Sequence, residues 1–191
     1  MQHRAIFLDK DGTLIQDIPY NVDPSKISLL DGVQEGLREL AAKGFLLIVI
    51  SNQAGVAHGH FTIESLEDVK TKIKHLLSPE EVTVHGFYFC PHHPDGAVSA
   101  YAILCECRKP RPGMLLEAAK DFDINLSESW MIGDILHDIE AGKAAGCHTI
   151  LIDNGNETEW VLTPERTPEF TAKDFREAVS YILTSQTTSY K

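Results

Sequence analysis

Asp9 and Asp11 flank a lysine directly after the apolar run Ala5 to Leu8, and Gly12-Thr13 follows. Residues two apart on a continuing strand face the same way, so the two carboxylates can share a hard cation or divide the work of nucleophile and acid. Gly12 lets the chain bend sharply and turn backbone N–H groups toward an anion. Taken singly, Asp-Gly is also a common turn dipeptide. Polar groups recur at other strand ends: Phe45 to Ile50 runs into Ser51-Asn52-Gln53, and Trp130 to Ile132 runs into Gly133-Asp134, with Asp138 four residues on. Between them stands the cationic pair Arg108-Lys109. A second cluster is chemically distinct. Cys90 and a neighbouring histidine precede Cys105 and Cys107, with twelve residues between His92 and Cys105. Three thiolates and one imidazole make a closed tetrahedral zinc set, which is structural because no coordination position is left for a substrate. Spacing leaves His92 and His93 both open as the imidazole. Cys147, after a helix-ending glycine, reads as an inert core residue.

The elements that must position these groups alternate. Ala5 to Leu8, Phe45 to Ile50, Val84 to Phe89, Trp130 to Ile132 and Thr149 to Ile152 read as strands. Helical patterns fall near Val33 to Lys43, Thr62 to Leu77, Pro112 to Phe122 and Leu136 to Ala145, with a weaker one at Ala172 to Leu183 and a polar, frayed run from Thr184 to Lys191. This order predicts an α/β fold, a doubly wound, mostly parallel Rossmann-like sheet covered on both faces. Leu66, Val69, Ile73, Leu76 and Leu77 recur at spacings of three and four, so they form one buried stripe. Gly44 and Gly146 each follow Ala-rich helix ends where a left-handed cap would turn the chain into the next strand. Pro91 to Pro112 carries no period, and a stretch of about twenty residues without one inside a compact domain signals function or a local staple.

Length and composition narrow the classes. At 191 residues, 43% apolar and 24% charged, the chain fits one domain. Its formal charge of −11, from 17 basic and 28 acidic residues, repels nucleic-acid backbones and anionic membranes. The longest apolar run is far short of the ~20 residues a membrane helix needs, and the start lacks a signal-peptide pattern. A soluble cytoplasmic protein is expected. Four cysteines are too few for a disulfide scaffold.

In this order, Asp9-x-Asp11-Gly-Thr, Ser51, Lys109 and Gly133-Asp134 resemble the four-part signature of the haloacid dehalogenase superfamily of phosphatases. The resemblance implies a phosphoric monoester hydrolase without a large cap domain, spanning 1–184, with a zinc loop inserted at about 90–110 and a polar tail at 185–191. It implies Asp9 as nucleophile through an aspartyl-phosphate and Asp11 as general acid and base. Ser51 and Lys109 would stabilise the transferring phosphoryl group, with Mg²⁺ on Asp9, the backbone carbonyl of Asp11, and Asp134. Asp138 would orient the metal shell, or simply sit as a carboxylate in the first turn of a helix. With the cysteine loop and Cys-Arg-Lys-Pro-x-Pro-Gly-Met, the segment from Ala5 to Asp153 is most similar to the D-glycero-D-manno-heptose-1,7-bisphosphate 7-phosphatases. That family implies Zn²⁺ on Cys90, His92, Cys105 and Cys107. It also implies substrate contacts from Asp17, Ile18, Pro19 and Tyr20 and from Ser51, Asn52, Gln53 and Ala54, with Arg108 and Lys109 on the phosphates. The implied partner is a small phosphorylated sugar on a pathway to nucleotide-activated heptose for lipopolysaccharide core or related glycans, and the expected state is a monomer. Histidinol-phosphate phosphatase is the nearest alternative, but its zinc loop has a shorter gap. A signalling receiver lacks an acid two residues after its aspartate, and a nucleic-acid 3′-phosphatase fits the net charge poorly. One departure stands out: relatives place a lysine directly after the aspartate equivalent to Asp134, whereas this chain has Ile135.

Overall fold

A computed structural model describes residues 2–187. In chain order the elements are β1 (Arg4–Leu8), α1 (Val33–Ala42), β2 (Phe45–Asn52), α2 (Gly55–His58), α3 (Ser65–Leu77) and β3 (Gly86–Cys90). The second half adds α4 (Gly113–Asp121), β4 (Trp130–Gly133), α5 (Leu136–Ala145), β5 (His148–Ile152), β6 (Phe170–Ala172) and α6 (Phe175–Thr187). The six strands form one parallel sheet in the order β3-β2-β1-β4-β5-β6. The chain moves outward from β1 to β3 and then crosses back to β4 on the other side of β1. That reversal opens a crevice at the carboxyl ends of the central strands, where open α/β sheets bind ligands.

Period-2 alternation divides the core into two layers. Ile6 and Leu8 of β1, with Leu47 and Val49 of β2, pack against Leu37, Val69, Ile73, Val179 and Ile182 from α1, α3 and α6. Ala5, Phe7, Ile48 and Ile50 face the other way, onto Met114, Leu115, Ala118 and Ala141 from α4 and α5. The α3 stripe is core as its spacing requires: Leu66, Val69, Ile73 and Leu77 are buried and Leu76 packs against them. Gly44 and Gly146 take φ +82° and +91°, each ending a helix just before a strand. Cys147 is buried among α5 and β4 residues, which pushes its thiol up to about 12.

The structure corrects several expected boundaries. β3 starts at Gly86 rather than Val84, because the side chain of His85 intrudes on the ladder: its Nδ1 accepts from Leu47 N at 3.1 Å. Ala172 belongs to a three-residue strand, pairing with Ile152, and the last helix begins at Phe175; a strand this short leaves no alternation to detect. That helix also runs past Thr184 to Thr187. The hydroxyls of Thr184 and Ser185 donate to the carbonyls of Ser180 and Tyr181, so polar side chains continue the helix instead of ending it. The rest of the expected polar tail, 188–191, lies outside the described residues. The interval 91–112 contains neither helix nor strand, and among the described residues no large cap interrupts the fold.

Candidate active site

Register sets the geometry. Leu8 is level with Val49 of β2 and Ile132 of β4, and Asp9 N donates to Ile132 O at 3.0 Å. Asp9, Ser51 and Asp134 therefore emerge side by side at one sheet edge. Lys109 reaches this edge from the cysteine loop: Nζ is paired with Asp9 Oδ1, donates to Ile50 O at 3.1 Å and meets Asp138 Oδ1 at 2.5 Å. Carboxylate oxygens of Asp9, Asp134 and Asp138 all lie within 4.8 Å of one another.

This is an unbalanced buried charge set, three carboxylates against one ammonium. Burial raises Asp9 well above the usual carboxylate range; Lys109 opposes the rise, and Asp138 and Asp134 add to it. Asp134 is pushed up to about 6 by burial and by Asp138, against the Asn156 hydrogen bond and Lys109. Burial pulls the Lys109 ammonium down, but Asp138 and Asp9 outweigh it and raise it above the ordinary lysine range. A cluster of hard oxygen donors with surplus negative charge suits a hydrated divalent cation. Asp138 serves in two ways at once, since its Oδ2 also accepts from Ile135 N at 3.3 Å at the start of α5.

The turn after β1 fits around Asp134. Gly12 adopts φ +80°, and a Cβ there would lie 1.9 Å from Asp134 Oδ2 and 2.5 Å from Asn156 Nδ2. Asn154 Nδ2 donates to Gly12 O at 2.7 Å, and Asn156 Nδ2 donates to Asp134 Oδ2 at 2.6 Å. Neither asparagine belongs to the site expected from sequence. Their only signal is position: Asp153-Asn154-Gly155-Asn156 follows β5 at the same sheet edge as the other polar strand ends.

Asp11 stands outside the buried trio but lines the same cleft. Its Oδ1 accepts from Lys10 Nζ at 2.7 Å and its Oδ2 from Gln53 Nε2 at 3.1 Å, while Gln53 Nε2 also donates to Ser51 Oγ at 2.9 Å. Lys10, absent from the expected site, is only 1% exposed. The cleft runs from Asp9, Lys109 and Asp134 past Asp11 and Asp17 to an outer section lined by Ile18, Tyr20 and Ala54. Burial and the Asp11 carboxylate raise Asp17. Ile135, the departure after Asp134, lines the inner cleft, so an apolar side chain stands at that position of the wall. Pro19 and Arg108 line neither section. The Arg108 guanidinium instead donates to His92 O at 3.3 Å. Asn52 turns its amide onto Lys109, with Nδ2 donating to Lys109 O and Oδ1 accepting from Lys109 N, both at 3.0 Å.

Cys90, His92, Cys105 and Cys107 form one tight group. Sulfur separations are 3.5 Å for Cys90–Cys105, 3.1 Å for Cys90–Cys107 and 3.2 Å for Cys105–Cys107, well beyond the ~2.05 Å of a disulfide. His92 Nδ1 lies 3.3 Å from Cys107 Sγ, whereas His93 Nδ1 accepts from Asp95 N at 3.2 Å. The geometry therefore picks out His92, which spacing left open. Cys107 is bonded to Arg108-Lys109, so the cluster is two residues from the lysine at the centre of the site.

The comparisons with known proteins agree with this layout. The HAD-hydrolase-like family matches residues 106–178. The chain is 40% identical over 167 residues to the D-glycero-beta-D-manno-heptose-1,7-bisphosphate 7-phosphatase of Yersinia pestis, covering 83% of this chain and 89% of that one. Among solved structures, a HAD-like phosphatase from Mesorhizobium loti superposes with a TM-score of 0.83 at 32% identity, covering 96% of this chain and 87% of that one. The D,D-heptose 1,7-bisphosphate phosphatase of B. bronchiseptica, solved with magnesium and phosphate, gives 0.77 at 28% identity, covering 95% and 99%. With an aspartate pair after β1, a buried lysine and an aspartate after β4 converging in this fold, the chain belongs to the haloacid dehalogenase-like hydrolases, within the heptose-bisphosphate phosphatase family.

Proposed function

We propose that this chain is a Mg²⁺-dependent phosphomonoesterase that removes the C7 phosphate of D-glycero-D-manno-heptose 1,7-bisphosphate. The observation that carries the reading is the buried Asp9–Lys109–Asp134–Asp138 cluster opening onto a cleft whose next acid is Asp11. Similarity to enzymes with that activity supports the substrate, and the −11 charge favours a small ester over an anionic polymer.

Asp9 attacks phosphorus and displaces the sugar alkoxide, passing the phosphoryl group through an aspartyl-phosphate that water then hydrolyses. Asp11, free of the buried trio, gives a proton to the leaving alkoxide and takes one from the water, so its two partners, Lys10 and Gln53, must yield as it works. Lys109 and the Ser51 hydroxyl stabilise the charge on the transferring oxygens. Mg²⁺ would be held by Asp9, Asp134 and the backbone carbonyl of Asp11, where it neutralises the phosphate dianion and the surplus carboxylate charge. Asp138 keeps Lys109 charged and aimed. In the cysteine loop, four soft donors in one group fit Zn²⁺, which would fix Cys107 and with it the approach of Lys109.

The deciding experiment measures phosphate release from the heptose bisphosphate, histidinol phosphate and a nucleotide monophosphate, with and without Mg²⁺. Preference for the bisphosphate, lost on chelation and in Asp9→Asn, is expected. Equal turnover of histidinol phosphate, or activity surviving Asp9→Asn, would overturn the reading.

A further inference from the structure

Lys10 lies between the two aspartates that follow β1, and its side chain is 1% exposed. Among the described residues its ammonium pairs with a single carboxylate, meeting Asp11 Oδ1 at 2.7 Å. Burying an ammonium costs more free energy than one ion pair commonly returns, and the partner here is itself 31% exposed. Stability therefore does not account for the pair.

The base of the lysine is fixed. Its carbonyl accepts from Leu14 N and Ile15 N, both at 3.0 Å, and Gly12 N donates to Ile15 O at 2.9 Å, which closes the turn on which Asp11 stands. These bonds set the backbone of Asp11 and leave its side-chain torsions open. Two side chains then orient the carboxylate: Lys10 at Oδ1, and Gln53, whose Nε2 donates to Oδ2 at 3.1 Å. The two grips differ. Gln53 Nε2 also donates to Ser51 Oγ at 2.9 Å, so it keeps a partner when it leaves Oδ2. Asp17 lines the same stretch of cleft as Lys10, but among the described residues the ion pair of Lys10 is with Asp11.

We infer that Lys10 is the positioning residue of the general acid: it tethers Asp11 Oδ1, so that Oδ2 is the oxygen that exchanges a proton with the substrate. The inference rests on the proposed mechanism. In the first step Asp9 bonds to phosphorus as the P–O bond to the alkoxide breaks, and the proton on Asp11 Oδ2 passes to that alkoxide oxygen, leaving Asp11 a carboxylate. In the second step water bonds to phosphorus as the bond from Asp9 breaks, and one proton of that water returns to Oδ2. Gln53 gives way at Oδ2 in both transfers. With Oδ2 protonated the ion pair to Lys10 relaxes to a hydrogen bond, but the other carboxyl oxygen still accepts it, and the orientation is kept.

The test compares Lys10→Met, Lys10→Arg and Asp11→Asn with the wild-type chain, by initial rates on phenyl phosphate and p-nitrophenyl phosphate and by thermal melts. The two esters differ in leaving group: nitrophenolate departs readily without a proton, whereas phenolate gains more from an acid. Recognition of the ring cancels in the ratio of their kcat/KM values, and so does the folded fraction of each sample. Asp11→Asn should raise the preference for the nitrophenyl ester. Lys10→Met should raise it about tenfold, a share of the ~10²–10⁴ that a positioned acid supplies, with no fall in Tm. Lys10→Arg keeps a cation in reach of Oδ1 and should return the ratio toward wild type. On the heptose bisphosphate, Lys10→Met should lower kcat and leave KM unchanged, and this split decides the matter if the chain turns over neither aryl ester. An unchanged ratio in Lys10→Met beside a raised one in Asp11→Asn would overturn the tether alone. So would a raised KM with unchanged kcat on the bisphosphate, which would make Lys10 a substrate contact. An unchanged ratio in Asp11→Asn would remove Asp11 as the acid, and the proposed mechanism would fall together with the tether.

Discussion

Replacing Asn52 by alanine separates a substrate contact from a backbone clamp. Sequence reading put Asn52 among the substrate-binding residues, yet its side chain makes two hydrogen bonds to the backbone of Lys109, both at 3.0 Å. Each neutral hydrogen bond contributes about 1 kcal/mol net, so Asn52→Ala should destabilise the fold by about 2 kcal/mol. For a domain of this size that is a fall in Tm of about 4–8 °C. The Lys109 head group keeps Asp9, Asp138 and Ile50 O, so it stays near the site while its backbone loses register. A charge-assisted contact to the phosphoryl group is worth about 1.5–3 kcal/mol, and weakening it should lower kcat by about tenfold to a hundredfold with little change in KM. Asn52→Asp keeps the acceptor for Lys109 N but sets a carboxylate oxygen against Lys109 O, so it should be no more stable than the alanine variant. Thermal melts and initial-rate kinetics on the purified variants read both effects. A raised KM with unchanged kcat and Tm would show that Asn52 contacts substrate and that the clamp contributes nothing.

Three further outcomes follow from the site. Gly12→Ala should lower kcat at least a hundredfold and reduce Tm, because its Cβ would sit 1.9 Å from Asp134 Oδ2 at a positive φ; wild-type rates would mean that the turn relaxes without moving Asp134. Zinc removal by a stringent chelator, or Cys107→Ser, should lower both Tm and activity, and metal analysis of the untreated protein should find zinc; full activity and Tm in zinc-free protein would exclude a clamp. Asp134 is protonated more readily in the metal-free fold, near pH 6, than in the unfolded chain, near 3.8. Its contribution to stability is therefore complete below pH 4 and is lost as pH rises through about 6. Mg²⁺ should raise Tm more at pH 8 than at pH 5, where it must displace that proton, and an equal shift at both would contradict the buried-charge account.

The residues that sequence analysis could find share one property: they break an apolar run at a strand end. Asp9 and Asp11 follow β1, Asp134 follows β4 and Ser51 lies at the end of β2, so a parallel sheet must place them on one edge. Lys109 was legible through its cysteine neighbours and the family resemblance. Asn154 and Asn156 were not, because Asn and Gly after a strand are ordinary turn chemistry, and nothing local shows that their amides reach back to Gly12 and Asp134. Lys10 was hidden for a related reason: a lysine between two aspartates reads as solvated charge, and only the fold buries it against Asp11. β6 is not legible because three residues carry no period, and the apolar character of Ala172 and Phe175 fits strand and helix alike, which blurs the start of α6.

Strand order also governs when the site can exist during synthesis. Of the six strands of the sheet, β1 is made before the other five and ends in the middle, with β2 on one side and β4 on the other. Until residues 130–132 leave the ribosome, one flank of Ile6, Phe7 and Leu8 has no neighbour, and an unpaired strand edge invites association with other chains. The polar end of that strand is incomplete for longer still, because Asn156, which donates to Asp134, comes later in the chain. The nucleophile is thus translated well before its surroundings, which are finished only once the chain through Asn156 has emerged.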